Sequence, residues 1–423
     1  MPRVNPRNRN KGKVDENGKP LKPNWEWRFE AAKIDGKRQQ MSKAGFKTKK
    51  EAEIAGAKAL AEYQSAGKTF TPSEISVSDY MDEWFEKYCL SNVKYNSQII
   101  YSNTIKNYVK PRIGKYKLGS VNPAVLQEFI DKLGAEGHAK NNIEQIKSML
   151  SAAFNYAVYP LQYMKDNPMR FVKIPKKARD GKEKMILTIE QYNKLLERFP
   201  ADSRHHIPIK LAFHCGLRTG EVCGMTWDDI DFEKKTITVN KQSIRIEFEK
   251  GDVGFIIGEP KTKSSNRTIS FDNVLLDALK KEKARQERNE QKLQRDYNVH
   301  ALVDTLDPQG NEVKRIVTVT KELADGLERM NFVCVNDCGK FTSNDTVKYI
   351  ARVAKNKLEM PEFDFHSLRH THATMLVEQQ MNIKNVQHRL GHDDVKTTLN
   401  AYVKNTRRMD EDAAKVFEIA LGK

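Results

Sequence analysis

Six side chains in the second half of this 423-residue sequence have the types that phosphoryl chemistry uses. Arg218 lies on a Gly-flanked turn in CGLRTGEVC, where a planar donor fork and the N–H groups of a following helix can meet one phosphate. Lys261 stands in EPKTKSSNRTISF, read as two strands joined by a tight basic turn that also holds Lys263 and Arg267. A lysine there can protonate a leaving oxygen. In DFHSLRHTHAT, His366 and Arg369 are three residues apart and share one helix face. His392 follows Leu390 and Gly391, and Tyr402 comes ten residues later. Taken singly, the first two segments have ordinary meanings: an arginine paired with Glu221 or Asp228, and a charged hairpin tip. The sequence alone defines no role for His370, His372 and His388, which read as structural.

Two arginines, two histidines, a lysine and a tyrosine, with no clustered Asp/Glu to hold magnesium, describe phosphoryl transfer in which fixed cations replace a metal. Tyr402 is the nucleophile, and Arg218 and Arg369 stabilise charge on the non-bridging oxygens. A phenol of ordinary pKa about 10 needs a base, for which His366 is the candidate. Lys261 protonates the departing 5′ oxygen and His392 hydrogen-bonds the phosphate. One phosphodiester is exchanged for a phosphotyrosyl ester of similar energy, so rejoining needs neither cofactor nor ATP.

The ordered set GLRTGE, PKTKSSNRTI, HSLRHTHAT, LGHDD and Tyr402 resembles the tyrosine recombinase (phage integrase) family over nearly all of residues 185–423. The segments before it resemble, in pattern, the arm-binding and core-binding domains of integrases from temperate phages and conjugative transposons. The resemblance implies a C-shaped clamp on double-stranded DNA, a covalent 3′-phosphotyrosine intermediate, a Holliday junction and a homotetramer synapsing two sites, as in integration and transposition of a mobile element. It also implies core-type and arm-type DNA sites, with an excisionase and a DNA-bending host protein as further partners. The family's hairpin lysine is Lys261 or Lys263. Lys261 is preferred because it directly precedes the Thr of the KT pair.

The expected fold class is multidomain: a small α+β N-terminal domain, an all-α four-helix core-binding domain and a mixed, mainly-α catalytic domain with a small antiparallel sheet. The boundaries are 1–67, 74–172 and 185–423. In the first, WEWRFEAAKI and KRQQMSKAGF flank Asp35–Gly36 as a hairpin, and Thr48 with Glu51 starts a helix. The strands carry Arg28, Lys33, Lys37, Arg38 and Lys43, and a β-ribbon can enter a DNA major groove. In the second, four helical segments carry Lys106, Lys140, Asn141, Asn142 and Lys147 near helix starts, where phosphate contacts are favoured. A solvated face is the other reading of each. KTFTPS (68–73) and KIPKKARDGKEK (173–184) read as linkers. In the third, strands are expected at 235–249, 254–260 and 266–271, then a long exposed helix from Val274 to about Tyr297. Residues 280–335 form a charged insertion that either touches a neighbour or decorates the domain. The tail after Tyr402 can form a short amphipathic helix, which in the family docks on an adjacent protomer; docking on its own domain is the other reading.

The charge balance fits a polyanionic partner. Lysine and arginine number 73 against 56 acids, a net charge of +17, and residues 1–50 alone hold 15 basic and 5 acidic residues. No apolar run approaches the ~18 residues of a membrane span, and the start lacks a secretion signal. A cytoplasmic, nucleoid-associated protein is expected, with no membrane partner. Five cysteines are too few and uneven for a disulfide framework. Cys334 and Cys338 with His366 and His370 are a zinc reading weakened by the long gap between the pairs. Two rivals share part of the pattern. The segment MLVEQQMNIKNVQHRLGHDDVKTTLNAYV also scans as a helix-turn-helix of a non-catalytic regulator, which leaves Arg218 and the lysine unexplained. A type IB topoisomerase would share the chemistry, and the basic front end disfavours it.

Overall fold

The computed structural model describes residues 4–34, 37–64, 75–181, 184–260, 263–393 and 418, with side chains described for all of these but 31–34, 37–39, 62–64 and 263. The chain divides into two compact units, Met1–Gly181 and Lys182–Lys423.

The first unit opens with an antiparallel sheet of order β1-β2-β3, formed by β1 (Asn5–Asn8), β2 (Trp25–Ile34) and β3 (Lys37–Phe46). Strand β1 was not legible in the Pro- and Asn-rich lead. Trp27 and Phe29 alternate onto one face, stacked at 5.5 Å between ring centroids, where helix α1 (Lys49–Gln64) covers them. Gly56 permits that approach, since a Cβ there would lie 2.7 Å from Trp27 Cβ. The helix starts as its sequence implies: the Glu51 N–H donates to Thr48 Oγ1, and the Lys47 N–H donates to the Glu51 carboxylate.

Four helical rods follow among the described residues. Helix α2 (Val77–Trp84) runs through a π turn, Phe85–Cys89, into Leu90–Asn92, and α3 (Tyr95–Thr104) through a second π turn, Ile105–Val109, into Lys110–Ile113. Helices α4 (Pro123–Ala135) and α5 (Lys140–Val158) complete them. Ile143, Ile146, Met149, Leu150, Ala153, Phe154 and Ala157 recur at helical spacing and are buried, so one face of α5 enters the core. The expected linker at 173–184 is held rather than loose through Gly181. Gln127 exchanges two hydrogen bonds with the Lys173 backbone, the Lys140 N–H donates to Arg179 O, and Ala178 is buried.

The second unit begins with α6 (Ile189–Arg198), α7 (His206–Cys215) and α8 (Thr219–Gly224). Strands β4 (Ile230–Asp231), β5 (Thr236–Val239), β6 (Gln242–Glu249), β7 (Asp252–Gly258) and β8 (Arg267–Ser270) precede α9 (Asn273–Leu293). Then come β9 (Asn298–Leu306), β10 (Glu312–Thr320), β11 (Glu328–Arg329), α10 (Asn344–Lys357), α11 (His366–Glu378) and α12 (Ile383–Leu390). Helix α7 is buried along almost its whole length and packs against α11 through the core.

Two expectations are corrected here. One small sheet was expected, but the unit holds two antiparallel sheets, of order β4-β5-β8 and β11-β9-β10-β7-β6. The strands on either side of Lys261 therefore do not form a hairpin with each other: β7 pairs with β6 and β10, whereas β8 pairs with β5. The insertion contributes strands β9 and β10, which continue the β6–β7 sheet. That sheet abuts α8. A Cβ on Gly224 would lie 2.8 Å from Ser243 N in β6, so glycine allows the helix to touch the strand backbone.

Candidate active site

Two glycines end the helices that frame the site. Gly216 closes α7 at φ +65° and Gly391 closes α12 at φ +63°, left-handed conformations that favour glycine. Their carbonyls, freed by the turn, accept hydrogen bonds from the two arginines picked out by sequence. Arg369 on α11 is fully buried; its Nη1 donates to Gly216 O at 2.6 Å, and its Nη2 to Leu390 O at 2.6 Å and to His392 Nε2 at 2.9 Å. Arg218, at the start of α8 and about one-quarter exposed, donates through Nη2 to Gly391 O at 2.9 Å and through Nη1 to Glu221 Oε1 at 2.8 Å and Ser265 Oγ at 3.2 Å. Arg218, Arg369 and His392 thus converge on the Leu390–His392 turn.

The hydrogen bond fixes a tautomer. A guanidinium can only donate, so Nε2 of His392 must be the bare, accepting nitrogen and the proton sits on Nδ1. Burial, then Arg369 and Arg218, push the His392 imidazole down to about 3. His392 is therefore a neutral donor at physiological pH.

His366 opens α11, whose first turn is capped reciprocally: the Ser367 N–H donates to Asp364 Oδ1 and the Asp364 N–H to Ser367 Oγ. Burial, then the charge of Arg369, lower its imidazole to about 4, despite the opposing pull of Asp364. The ring is therefore neutral at physiological pH and keeps a lone pair for a proton, as a weaker base than an ordinary histidine. His370 stacks edge-on against it at 5.0 Å between centroids.

Glu221 was read only as an ordinary partner for Arg218, and its place is larger. Its carboxylate is buried and accepts from the Arg218 backbone N–H, the Arg218 side chain and Arg267. Burial alone would raise its pKa, but Arg267, followed by Arg218 and Arg369, holds it below the ordinary glutamate value. The signal was the Arg-x-x-Glu spacing at a helix start, which places a carboxylate one turn from the arginine. Ser265 was missed altogether, because serine in a basic loop announces nothing.

Lys261 and Tyr402 lie outside the described residues, as does all but Glu418 of the tail. The loop that follows Lys261 does reach the site. Ser265 Oγ donates to Gly391 O at 3.3 Å, and the Ser264 hydroxyl hydrogen-bonds the Asp393 carboxylate. Gln387 steadies the same turn by donating to the carbonyls of His392 and Asp393.

The structural reading of the neighbouring histidines has particular contacts. His372 Nε2 accepts from Arg389 Nε at 2.9 Å, and His214 links Asp272 to the Tyr192 hydroxyl. Cys334 is buried and Cys338 exposed. Among the described residues no group of three or more His, Cys, Asp or Glu side chains could hold a metal ion.

Two predictions arise here. A Cβ at Gly391 would lie 2.9 Å from Arg267 Nη1 and 3.0 Å from Ser265 Cα. Gly310→Ala, at φ +80° with open space around it, should cost only the ~1–2 kcal/mol of a left-handed alanine. Gly391→Ala should cost visibly more in thermal denaturation and also slow DNA cleavage. The second concerns pH. Burial, followed by Arg389, lowers the His372 imidazole to about 3, and burial, followed by His366, lowers His370 to about 3. Protons bind the unfolded chain below about pH 6.5 but not the folded one until about pH 3, so stability is full above that window and falls with acidification. His372→Gln, which can still accept from Arg389, should flatten the slope of unfolding free energy against pH between 4 and 6 by about 1.4 kcal/mol per unit. An unchanged slope in chemical denaturation would mean that His372 is already protonated in the fold.

The basic residues proposed for DNA fall on several surfaces. Arg28 is half-buried on β2, paired across from Ser42, on the sheet face away from Trp27. Lys43 is exposed and sits opposite Trp27, so it belongs to the other face, and the two do not form one stripe. Lys37 and Arg38 begin β3, with side chains outside the described set. Lys140, Asn141 and Asn142 do form the first turn of α5, where Lys140 pairs with Asp180 at 2.7 Å. Lys106 and Lys147 correct the expectation of helix starts: Lys106 is exposed within the π turn after α3, and Lys147 lies two turns into α5. Among the described residues no helix is long and apolar enough to cross a membrane.

Three family patterns match the chain: the phage integrase family over residues 186–409, the phage integrase N-terminal SAM-like domain over 76–134 and an arm DNA-binding domain over 13–63. A XerC-like tyrosine recombinase of Caldanaerobacter subterraneus is 29% identical over 365 residues, spanning 84% of this chain and 86% of the relative. The transposase of transposon Tn916 from Enterococcus faecalis is 27% identical over 300 residues, 70% of this chain and 66% of its own length. In fold, the chain is similar to the Tn1549 transposon integrase in complex with a circular intermediate DNA, with a TM-score of 0.61 at 22% identity over 81% of this chain and 99% of that one. A lambda integrase tetramer bound to a Holliday junction gives a TM-score of 0.51 at 16% identity, over 90% and 94%.

Proposed function

The chain belongs to the phage integrase family and is a tyrosine recombinase that catalyses site-specific DNA recombination, and we propose that Tyr402 cuts the strand within the cradle of Arg218, His366, Arg369 and His392. The observation that carries this reading is the convergence of two arginines and a neutral histidine on the Leu390–His392 turn. The Tyr402 hydroxyl gives its proton to His366 and attacks phosphorus. The bond to the 5′ oxygen breaks, and Lys261 supplies the proton that makes a 5′-hydroxyl. The strand's 3′ end remains as a phosphotyrosyl ester, and attack by another strand's 5′-hydroxyl reverses the step. Arg218 and Arg369 meet the charge on the non-bridging oxygens, with donors already fixed before reaction. His392 donates to the phosphate from Nδ1.

Residues 1–67 serve as the arm-site module, 74–172 grip the core site and 185–423 carry the chemistry. The basic first 50 residues and the arm DNA-binding match support the first assignment. A homotetramer exchanges strands through a Holliday junction, at the nucleoid, in the service of a mobile element. An excisionase and a DNA-bending host protein set direction.

The test is a nicked duplex carrying the chain's footprinted crossover site, in the presence of a chelator. An SDS-resistant adduct and a free 5′-hydroxyl are expected. Binding with no adduct would leave a regulator, and relaxation of plasmid lacking the site would leave a topoisomerase. Deleting residues 1–67 should weaken binding to arm-type DNA and flatten its dependence on salt, because each lost phosphate contact removes about 0.9 from the log–log slope. Cleavage at the core site should persist; its loss in a folded variant would move the boundary.

A further inference from the structure

Arg267 was read as one more cation in a basic loop, yet no part of its side chain reaches solvent. It opens β8 and spends its donors on three other segments. Nε donates to Arg389 O at 2.7 Å, at the end of α12. Nη1 donates to Ser265 O at 2.9 Å, in the loop after Lys261, and to Glu221 Oε1 at 3.3 Å. Nη2 donates to Glu221 Oε2 at 3.0 Å, in α8. With Nε, Nη1 and Nη2 all donating to protein acceptors and its charge met by the Glu221 carboxylate, this guanidinium is committed to the fold and not to a DNA phosphate.

Two of its partners touch Arg218 or the turn that Arg218 grips, and the third, Arg389, directly precedes that turn. Glu221 accepts from the Arg218 side chain and backbone. Ser265 Oγ accepts from Arg218 Nη1 and donates to Gly391 O. Gly391 lacks a Cβ where Arg267 Nη1 would be 2.9 Å away, so the fit between them is close on both sides. Arg218 alone could pair with Glu221 in several geometries, but a carboxylate already engaged at both oxygens by Arg267 offers it one.

We propose that Arg267 is a positioning residue for strand cleavage, orienting Arg218 through Glu221 and holding the loop after Lys261 against the Leu390–His392 turn. The proposal rests on the reading of Arg218 as a phosphate ligand. It assigns Arg267 no contact with DNA. Displacing a catalytic group by about 1 Å can cost on the order of 10²-fold in rate, so a positioning residue this well tied should be visible in kinetics.

Arg267→Gln in the full chain is expected to bind core-site DNA within a few-fold of wild type and to cleave it roughly 10²-fold more slowly at pH 7 under single-turnover conditions. Its rate should recover partly as pH rises toward 8.5. Glu221 then keeps only Arg218 and Arg369 against its burial, so its carboxyl should shift upward, and its protonated form would hold Arg218 poorly. Arg267→Lys keeps the charge without the fork, so its rate should be reduced but its pH profile should match wild type. The double variant Glu221→Gln, Arg267→Gln removes both charges together, which a buried site tolerates better than one left alone. It should fold, cleave as slowly as Arg267→Gln and show no recovery at high pH. Cleavage by the double variant at the wild-type rate would overturn the proposal. So would an Arg267→Gln profile of wild-type shape whose rate falls only in step with thermal stability. If wild-type protein forms no adduct, the failure belongs to the functional reading, whereas a wild-type adduct with indifferent Arg267 variants refutes this inference alone.

Discussion

Tyr402→Phe is expected to abolish the covalent adduct, a loss of roughly 10⁴-fold or more as for removal of a nucleophile elsewhere, with DNA affinity kept within a few-fold. The change removes one oxygen and nothing else, so folding and phosphate contacts should persist. No neighbour among the described site residues can take over. Arg218 and Arg369 are cations without a lone pair to offer, the one lone pair of the His392 ring accepts from Arg369, and His366 is assigned to take up the proton. The cradle would still bind the phosphodiester and polarise it, but water would have to attack, giving a nick with no protein attached. Gel separation of adduct, nicked product and substrate distinguishes these outcomes. An adduct formed by Tyr402→Phe at the wild-type yield would place the nucleophile elsewhere, and the assigned roles of His366 and Lys261 would fall with it.

The described part of the site, where Arg218, Arg369 and His392 meet, was legible in the sequence because it depends on residue type, and what depends on packing was not. An arginine three residues from a histidine, or a glycine before His392, can be read directly, because few structural needs produce those sets together. What Arg267 does cannot be read this way: a buried cation and a DNA-facing one have the same letter, and only the closure of β8 against α8 and α12 separates them. Helices α2, α4 and α5 of the first unit were visible because one face of each is buried, which imposes a 3.6-residue period on the apolar side chains. Strands β9 and β10 were obscure for the opposite reason. Most of their residues are exposed or half-buried on both faces, so alternation is weak. The false hairpin has the same origin: β7 and β8 each looked like a strand beside a turn, and pairing partners far along the chain decide which sheet a strand joins.

Arg369→Lys should be nearly as damaging as loss of the nucleophile, though the charge is conserved. The guanidinium spans two carbonyls at 2.6 Å through different nitrogens, Gly216 O at the end of α7 and Leu390 O at the end of α12, while also donating to His392. A single ammonium cannot reach all three from one point. At least one buried carbonyl would lose its donor, at a cost of about 1–3 kcal/mol, so the variant should unfold at lower denaturant. The kinetic loss should exceed that. Without the donor, His392 is no longer confined to the Nδ1–H tautomer, so the phosphate loses a fixed partner together with a planar one, and cleavage should fall by roughly 10³-fold. Single-turnover cleavage at saturating DNA, measured where the variant is fully folded, separates the two losses. A rate within tenfold of wild type would mean that Arg369 bridges helix ends only, and that the charge developing on the non-bridging oxygens is met by Arg218 without it.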